Sequence, residues 1–281
     1  MFRLIVENEK GQQMELTNNE AYVVYNILGL DPSDAVINTN RNANADGSVF
    51  NSAYIDNKSF TITLAINSPA EDNRLELYKY FKNKRYTKIY FESERRNVYL
   101  DGYCQRISIN NFEKKVIAQI VIFCPDPYFK AVDSITTQIS QNQSLFEFPF
   151  SIQNPIPFSE IENTSHAVIN DGDIKVGAIF ALTSRGNAVD TPKIINVETN
   201  EFIKLNWTIQ HGVYVVIDTI SKEKSVQAGT PGNMQDWINI LSLDSSWLEL
   251  DVGENHFAVA AEQNVSDLEV TVEFRSYYEG V

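Results

Sequence analysis

The sequence predicts a two-domain, mainly β protein with one helix: an α+β first half over residues 1–134 and an antiparallel β-sandwich over residues 158–281, joined by a connecting segment at 135–157. Three observations predict it. A chain of 281 residues is long for one small domain and suits two at about 100–200 residues each. Its charge is uneven, with 16 basic and 17 acidic residues up to Ser134 but 7 and 20 from Ile135 onward, so that nearly all of the net −14 falls in the second half. Finally, the first half alternates apolar and polar residues around a single helical stretch, whereas the second half carries short β-rich runs at roughly 10–15-residue intervals with Asn-, Asp- and Gly-rich turns.

The elements of the first half follow in order. Phe2, Leu4 and Val6 alternate, Asn8-Glu9-Lys10-Gly11 turns, and Met14 and Leu16 resume the alternation, which predicts a β-hairpin. Residues Ala35–Phe50 are polar and turn-rich, a long loop or hairpin arm leading into the alternating strand Ser59–Ile66. Ser68-Pro69 followed by Glu71 and Asp72 reads as a helix start, with Leu75, Tyr78 and Phe81 on one face and an end near Lys84. Three β runs follow at Lys88–Glu92, Asn97–Ile109 and Lys115–Phe123. In the second half the runs are Ala178–Thr183, Lys193–Val197, Phe202–Leu205, Val213–Asp218, Trp247–Leu250, His256–Ala261 and Leu268–Phe274. Between the halves, ITTQISQNQSLFEFPFSIQNPIP is polar and then punctuated by proline.

Composition excludes several function classes. An acidic balance lacks the basic footprint that phosphate-backbone binding needs, so specific nucleic-acid binding is not predicted. No apolar run approaches the ~18 residues of a membrane span, and Met1–Gly11 carries Glu7 and Glu9 where a secretory leader has its apolar core, which predicts synthesis in the cytoplasm without membrane insertion. Cys104 and Cys124 lack metal-ligand spacing and read as two small buried thiols, while His166, His211 and His256 are dispersed, so neither metal nor cofactor is predicted. No GxSxG elbow or ordered Ser, His, Asp set provides catalysis.

Four features merit individual reading. Asp126 between Pro125 and Pro127, with Tyr128 beside it, offers a carboxylate next to a phenol but no base or nucleophile partner. The two prolines instead predict a rigid corner leaving the last strand of the first domain. Asp171-Gly172-Asp173 resembles a fragment of a calcium loop without its later ligands, and reads as a hairpin turn. Trp207 alternates with Leu205 and Ile209 and is placed in the core, while Trp237 and Trp247 lie near turns. The stretch Lys82–Arg96 interleaves Lys82, Lys84, Arg85, Lys88, Arg95 and Arg96 with Tyr86, Tyr90 and Phe91. Glu92 and Glu94 interrupt it, which favours a solvated hairpin or a subunit interface over a nucleic-acid face.

The ordered set GLDPSDAVINTN at 29–40, ADGSVFNSAYIDNKSFTITLAI at 45–66, KIYFESERRNVYLDGYCQRISI at 88–109 and IVIFCPDPYFKA at 120–131 resembles the distal tail proteins of long-tailed phages of Gram-positive hosts. VINDGDIKVG at 168–177, KIINVETNEFIKLN at 193–206, DSSWLELDVGENHF at 244–257 and the closing FRSYYEGV are similar to that family's C-terminal domain. The resemblance implies a first domain that closes into a ring, usually of six copies, at the tip of the tail tube, and a galectin-like sandwich projecting outward. It implies a tail tube protein on one side, a tail-associated lysin or tail fibre protein on the other, and receptor-binding proteins at the periphery in some phages, all at the virion tail tip. The near-neutral first half agrees with such assembly, and a −13 second half is better spread outside than crowded at an axis. The galectin sugar-contact set, a His-x-Asn-x-Arg strand and a Trp-Gly-x-Glu-x-Arg strand, is absent. The rival reading is a two-domain carbohydrate-binding protein that uses its Trp-bearing sandwich.

Overall fold

The structure, a computed structural model, describes residues 2–41, 46–110, 114–139 and 165–281. They form two compact units, one of Met1–Asp133 with Tyr277–Val281 and the other of Ser134–Ser276.

In the first unit, β1 (Arg3–Asn8), β2 (Gln13–Glu15), β3 (Tyr22–Leu28), β4 (Ala35–Asn40), β5 (Val49–Ile55) and β6 (Lys58–Ile66) precede α1 (Ala70–Tyr80), and β7 (Tyr86–Glu92), β8 (Asn97–Ile109), β9 (Val116–Cys124) and β10 (Phe129–Ala131) follow it. Among the described residues the main sheet runs β2-β1-β7-β8-β9-β6-β3, all antiparallel. The alternation read from the sequence puts Leu4, Val6, Phe60, Ile62, Leu64, Ile89, Leu100, Ile120 and Ile122 on one buried face, together with the thiols Cys104 and Cys124, which are free. At Gly102 a Cβ would lie 2.4 Å from the Phe123 carbonyl oxygen, so this face closes there on bare backbone.

Helix α1 covers that face with Phe81, as expected, but with Leu77 in place of Leu75. Leu77 and Phe81, four apart, are buried in the sheet's core, whereas Leu75 is 51% exposed. Leu75 lies about 200° around the helix from Leu77 at 3.6 residues per turn, so the two cannot share a face. The helix also stops at Tyr80 rather than Lys84, because Phe81 leaves helical geometry (φ −113°, ψ 80°) and Lys84 has φ +68°. Pro69, not Ser68, occupies the cap position, and no side chain caps the first turn. Strand β3 escaped the sequence reading because it is an edge strand whose apolar Val23, Tyr25 and Leu28 are exposed, which erases the alternation that marks a half-buried strand.

The second unit contains β11 (Ile135–Gln138), β12 (His166–Asn170), β13 (Val176–Gly177), β14 (Ile179–Ser184), β15 (Val189–Asp190), β16 (Lys193–Asn196), β17 (Phe202–Lys204), β18 (Thr208–Ile209), β19 (Tyr214–Asp218), β20 (Ser225–Thr230), β21 (Asn233–Asp236), β22 (Glu249–Leu250), β23 (Gly253–Ala260) and β24 (Leu268–Phe274). Its described strands form a six-stranded sheet β11-β24-β14-β19-β20-β21, a four-stranded sheet β12-β23-β16-β17 and the pairs β13-β22 and β15-β18. Phe180 of the first sheet and Phe257 of the second meet edge to face at 5.9 Å, inside a core with Leu182, Ile194, Ile217, Val259 and Val270. Strands β20 and β21, rich in Ser, Gln, Asn and Gly, were invisible as a hydrophobic pattern. Asn170 turns the chain at Asp171-Gly172-Asp173: its Oδ1 accepts the Gly172 N–H at 3.0 Å and its Nδ2 donates to the Ile174 carbonyl at 2.9 Å.

The segment read as a connection begins as a strand, since β11 pairs with β24 (Ile135↔Phe274); residues 140–157 of it lie outside the described residues. The last five residues, read with the sandwich, form instead a short strand β25 (Tyr277–Tyr278) on β10 of the first unit. Two residues of strand followed by Glu-Gly-Val leave no periodic signal in the sequence, and the partner strand is decided by tertiary contacts.

Two outcomes follow from this packing. Leu77→Ala should destabilise the first unit by about 2–5 kcal/mol in denaturant titration, and Leu75→Ala by less than about 0.5 kcal/mol; the reverse order would restore the expected face. Alkaline pH should unfold the first unit first. Burial raises Cys104 to about 11 and Cys124, Tyr22, Tyr90 and Tyr277 to about 12, from 9.0 for the thiols and 10.0 for the phenols. Because these native values are raised, their stabilisation is complete below pH 9 and is lost as the pH climbs through 9–12. Lys58 is shifted down by its own burial and opposes the trend, but it is one group against five. All three tryptophans and no cysteine lie in the second unit, so tyrosinate absorbance should rise before tryptophan fluorescence changes.

Candidate interaction site

Strands β4 and β5 form a two-stranded arm that pairs with no other described strand. Their sequences, AVINTN and VFNSAYI, contain no charge, and every residue except Ile55 is exposed. Cross-strand register puts Ile37 with Ala53 and Thr39 with Phe50, so one face of the ribbon presents Ile37 and Phe50, each 62% exposed. The other face carries Val36 with Tyr54, and Asn38 donating to the Ser52 hydroxyl at 3.1 Å. An uncharged ribbon with apolar faces and open edges is a template for another chain, and soluble proteins ordinarily blunt such edges with charge. The exposed Val23, Tyr25 and Leu28 of edge strand β3 add apolar surface in the same unit.

The interleaved basic and aromatic stretch is dispersed by the fold. On the sheet face away from the helix, Lys88 Nζ lies 4.6 Å from the Tyr99 ring centre, and Tyr90 donates its hydroxyl to Glu7 at 3.1 Å. Lys82 and Arg85 instead border a cavity of about 150 Å³ with Lys10, Lys79 and Glu9, where Arg85 meets Glu9 at 3.4 Å. Arg96 turns to Tyr278, its guanidinium 4.2 Å from that ring centre.

The proline corner lies inside the first unit. Asp126 Oδ1 accepts the Tyr128 N–H at 3.3 Å, and Lys130 Nζ bridges Asp126 Oδ2 at 3.1 Å and Asp101 Oδ1 at 3.0 Å. The chain then pairs as β10 with Val98 and Tyr99 of β8, so Pro125–Tyr128 turns it back onto its own sheet and β9 is not the last strand before the exit. Burial disfavours the Lys130 ammonium, but the Asp126 and Asp101 carboxylates outweigh it and hold the group above its ordinary value.

In the second unit Leu205 and Ile209 are buried as expected, but Trp207 is only half-buried because the chain bends at Asn206 and Trp207. It meets Trp237 edge on at 5.1 Å, while Trp247 has the Lys224 ammonium 5.6 Å from its ring centre. Among the described residues no cluster of His, Cys, Asp or Glu is arranged to hold a metal ion, and no helix is long and apolar enough to cross a membrane.

Residues 171–278 match the family model described as the siphovirus-type tail component, C-terminal domain. Residues 171–278 thus resemble the C-terminal domain of siphovirus-type tail components. Over its whole length the fold is similar to that of SPP1 Dit (gp 19.1), described as a paradigm of the hub adsorption apparatus in phages infecting Gram-positive hosts, with a TM-score of 0.70 and 15% identity over 99% of each chain. It is also similar to chains of the phage P2 baseplate in its activated conformation, with calcium (TM-score 0.54, 11% identity, 97% of this chain and 98% of that one) and with strontium (0.53, 11%, 98% of each). At these identities the likeness is one of fold. No curated protein matches the chain in sequence.

In the first unit the Asp126–Lys130–Asp101 bridge is shielded, with the Lys130 side chain only 15% exposed. Lys130→Met would leave two neighbouring carboxylates without their shared cation. It should lower the stability of the first unit by about 2 kcal/mol, below the ~3–5 kcal/mol of a fully buried pair because both carboxylates reach solvent. Adding Asp101→Asn should recover part of the loss in a double-mutant cycle by chemical denaturation; full additivity would show that the three groups act independently.

Proposed function

We propose that this chain is a structural distal tail subunit, the hub of a phage baseplate, which closes with copies of itself into a ring at the tip of the tail tube. The observation that carries the reading is the β4–β5 arm: a folded, uncharged ribbon with apolar faces that its own unit leaves uncovered. The end-to-end likeness of fold to a hub protein supports it. A contact in which the arm of one copy lies on a different surface of the next is heterologous, and such contacts close into a ring when their rotation divides a full turn. Six copies, and docking of the tail tube protein, of a tail-associated lysin or fibre protein and of receptor-binding proteins, belong to the same proposal, as does a place at the virion tail tip. The role is mechanical rather than enzymatic.

The arm tests the reading. Replacing Ile37 and Phe50 with Asp should leave folding within about 0.5 kcal/mol of the parent, since neither side chain is buried in its own chain. Placing two charges at the centre of an apolar contact should weaken self-association at least about 30-fold per hot-spot residue. Native mass spectrometry should find rings for the parent and monomers for the double variant. Rings that persist in the variant would exclude the arm as the contact.

A further inference from the structure

The segment Tyr277–Val281 is bound to the first unit like a peptide ligand, and what it touches is the root of the arm. Tyr277 and Tyr278 add a strand to β10. Arg96 covers the Tyr278 ring and donates to the Gly280 carbonyl. The chain then meets Gly29–Asp34, the connection from β3 into the arm. Val281 N–H donates to the Leu30 carbonyl at 3.0 Å, and the buried Lys58 ammonium donates to the Asp31 carbonyl at 2.9 Å and the Glu279 carbonyl at 3.3 Å. One cation thus ties arm root and segment together through two backbone carbonyls. Gly280 permits the approach, since a Cβ there would stand 2.9 Å from Pro32 Cδ and 3.1 Å from the Leu30 carbonyl oxygen. Leu30, Tyr278 and Val281 also pack on the same core cluster.

We propose that Tyr277–Val281 is a clasp that fixes the root of the β4–β5 arm, so that the arm is held ready for a second copy only while the clasp is docked. The arm has no other sheet partner among the described residues, so its direction is set at its two ends. At one end β5 runs through Asp56 and Asn57 into Lys58 of the main sheet; at the other the Leu30 carbonyl is held by the Val281 N–H of the clasp. A segment far away in sequence, reached only after the whole second unit has been made, therefore completes the surface through which copies would meet. Such an order delays assembly until both units are folded.

Hydrogen exchange on dilute, monomeric protein tests the clasp, and native mass spectrometry at higher concentration tests its consequence. Deletion of Tyr277–Val281 should speed exchange of the amides in β4 and β5 about tenfold or more while β6 to β9 stay protected, and should raise the concentration needed for self-association. If the deletion also exposes β6 to β9, Gly280→Val decides, because it crowds Pro32 without removing the β25 strand: faster exchange confined to residues 29–55 supports the clasp, and unchanged exchange there overturns it. The assembly consequence rests on the arm being the contact. A parent protein that never self-associates would sink that reading while the exchange result still judges the clasp.

Discussion

The pairing of β10 with β25 is the constraint on which the rest of the molecule hangs, because it makes the second unit an insertion between two neighbouring strands of the first. Phe129 faces Tyr278 on one side of the boundary, and Ile135 faces Phe274 on the other. The two segments that carry the chain out and back are therefore paired within both units. Closing a loop as long as the second unit would cost entropy if that loop were unfolded, although the cost grows only slowly with length. The β11–β24 ladder removes it by holding the ends of the insertion side by side once the second unit has folded.

The first unit divides its surface by chemistry. The face under α1 is mostly apolar, with Asn8, Lys58 and Thr87 as buried polar exceptions, and holds both thiols. The opposite face mixes tyrosines with Glu7, Lys88, Asp101 and Lys130, where each charge has an ionic, aromatic or hydrogen-bonding partner. The arm belongs to neither, with no charge to solvate it and no sheet to bury it. Such a surface is costly to leave in water and becomes an asset only when another chain covers it.

Lys58 shows how one buried polar group can organise several segments. It is 4% exposed; its ammonium is satisfied by carbonyl oxygens of Asp31 and Glu279 and lies 4.6 Å from the Phe129 ring centre. Burial lowers its proton affinity, against the partly offsetting fields of Cys124, Asp31 and Glu279. The cost is tolerable because those partners come from three separate stretches of chain, each of which the ammonium helps to hold in place.

The sequence by itself determined the mainly β character, the single helix and the uneven charge, because alternation, turn residues and composition are local properties. It also placed Cys104 and Cys124 in strand-like runs as small buried thiols, and a long loop or hairpin arm before Ser59; that the thiols share one core and that the segment is a hairpin came from the structure. Only the tertiary structure decided which helix residues face the sheet, since Leu75 and Leu77 are equally apolar and differ only in angle around α1. It decided that Pro125–Tyr128 turns the chain back onto β8 instead of releasing it, because a proline fixes a local dihedral but not the strand that the next residues will find. It decided too that Tyr277–Val281 returns to the first unit. Two strand residues and a glycine carry no periodicity, and their partners, Arg96, Leu30 and Lys58, are brought to them by the sheet and not by the chain.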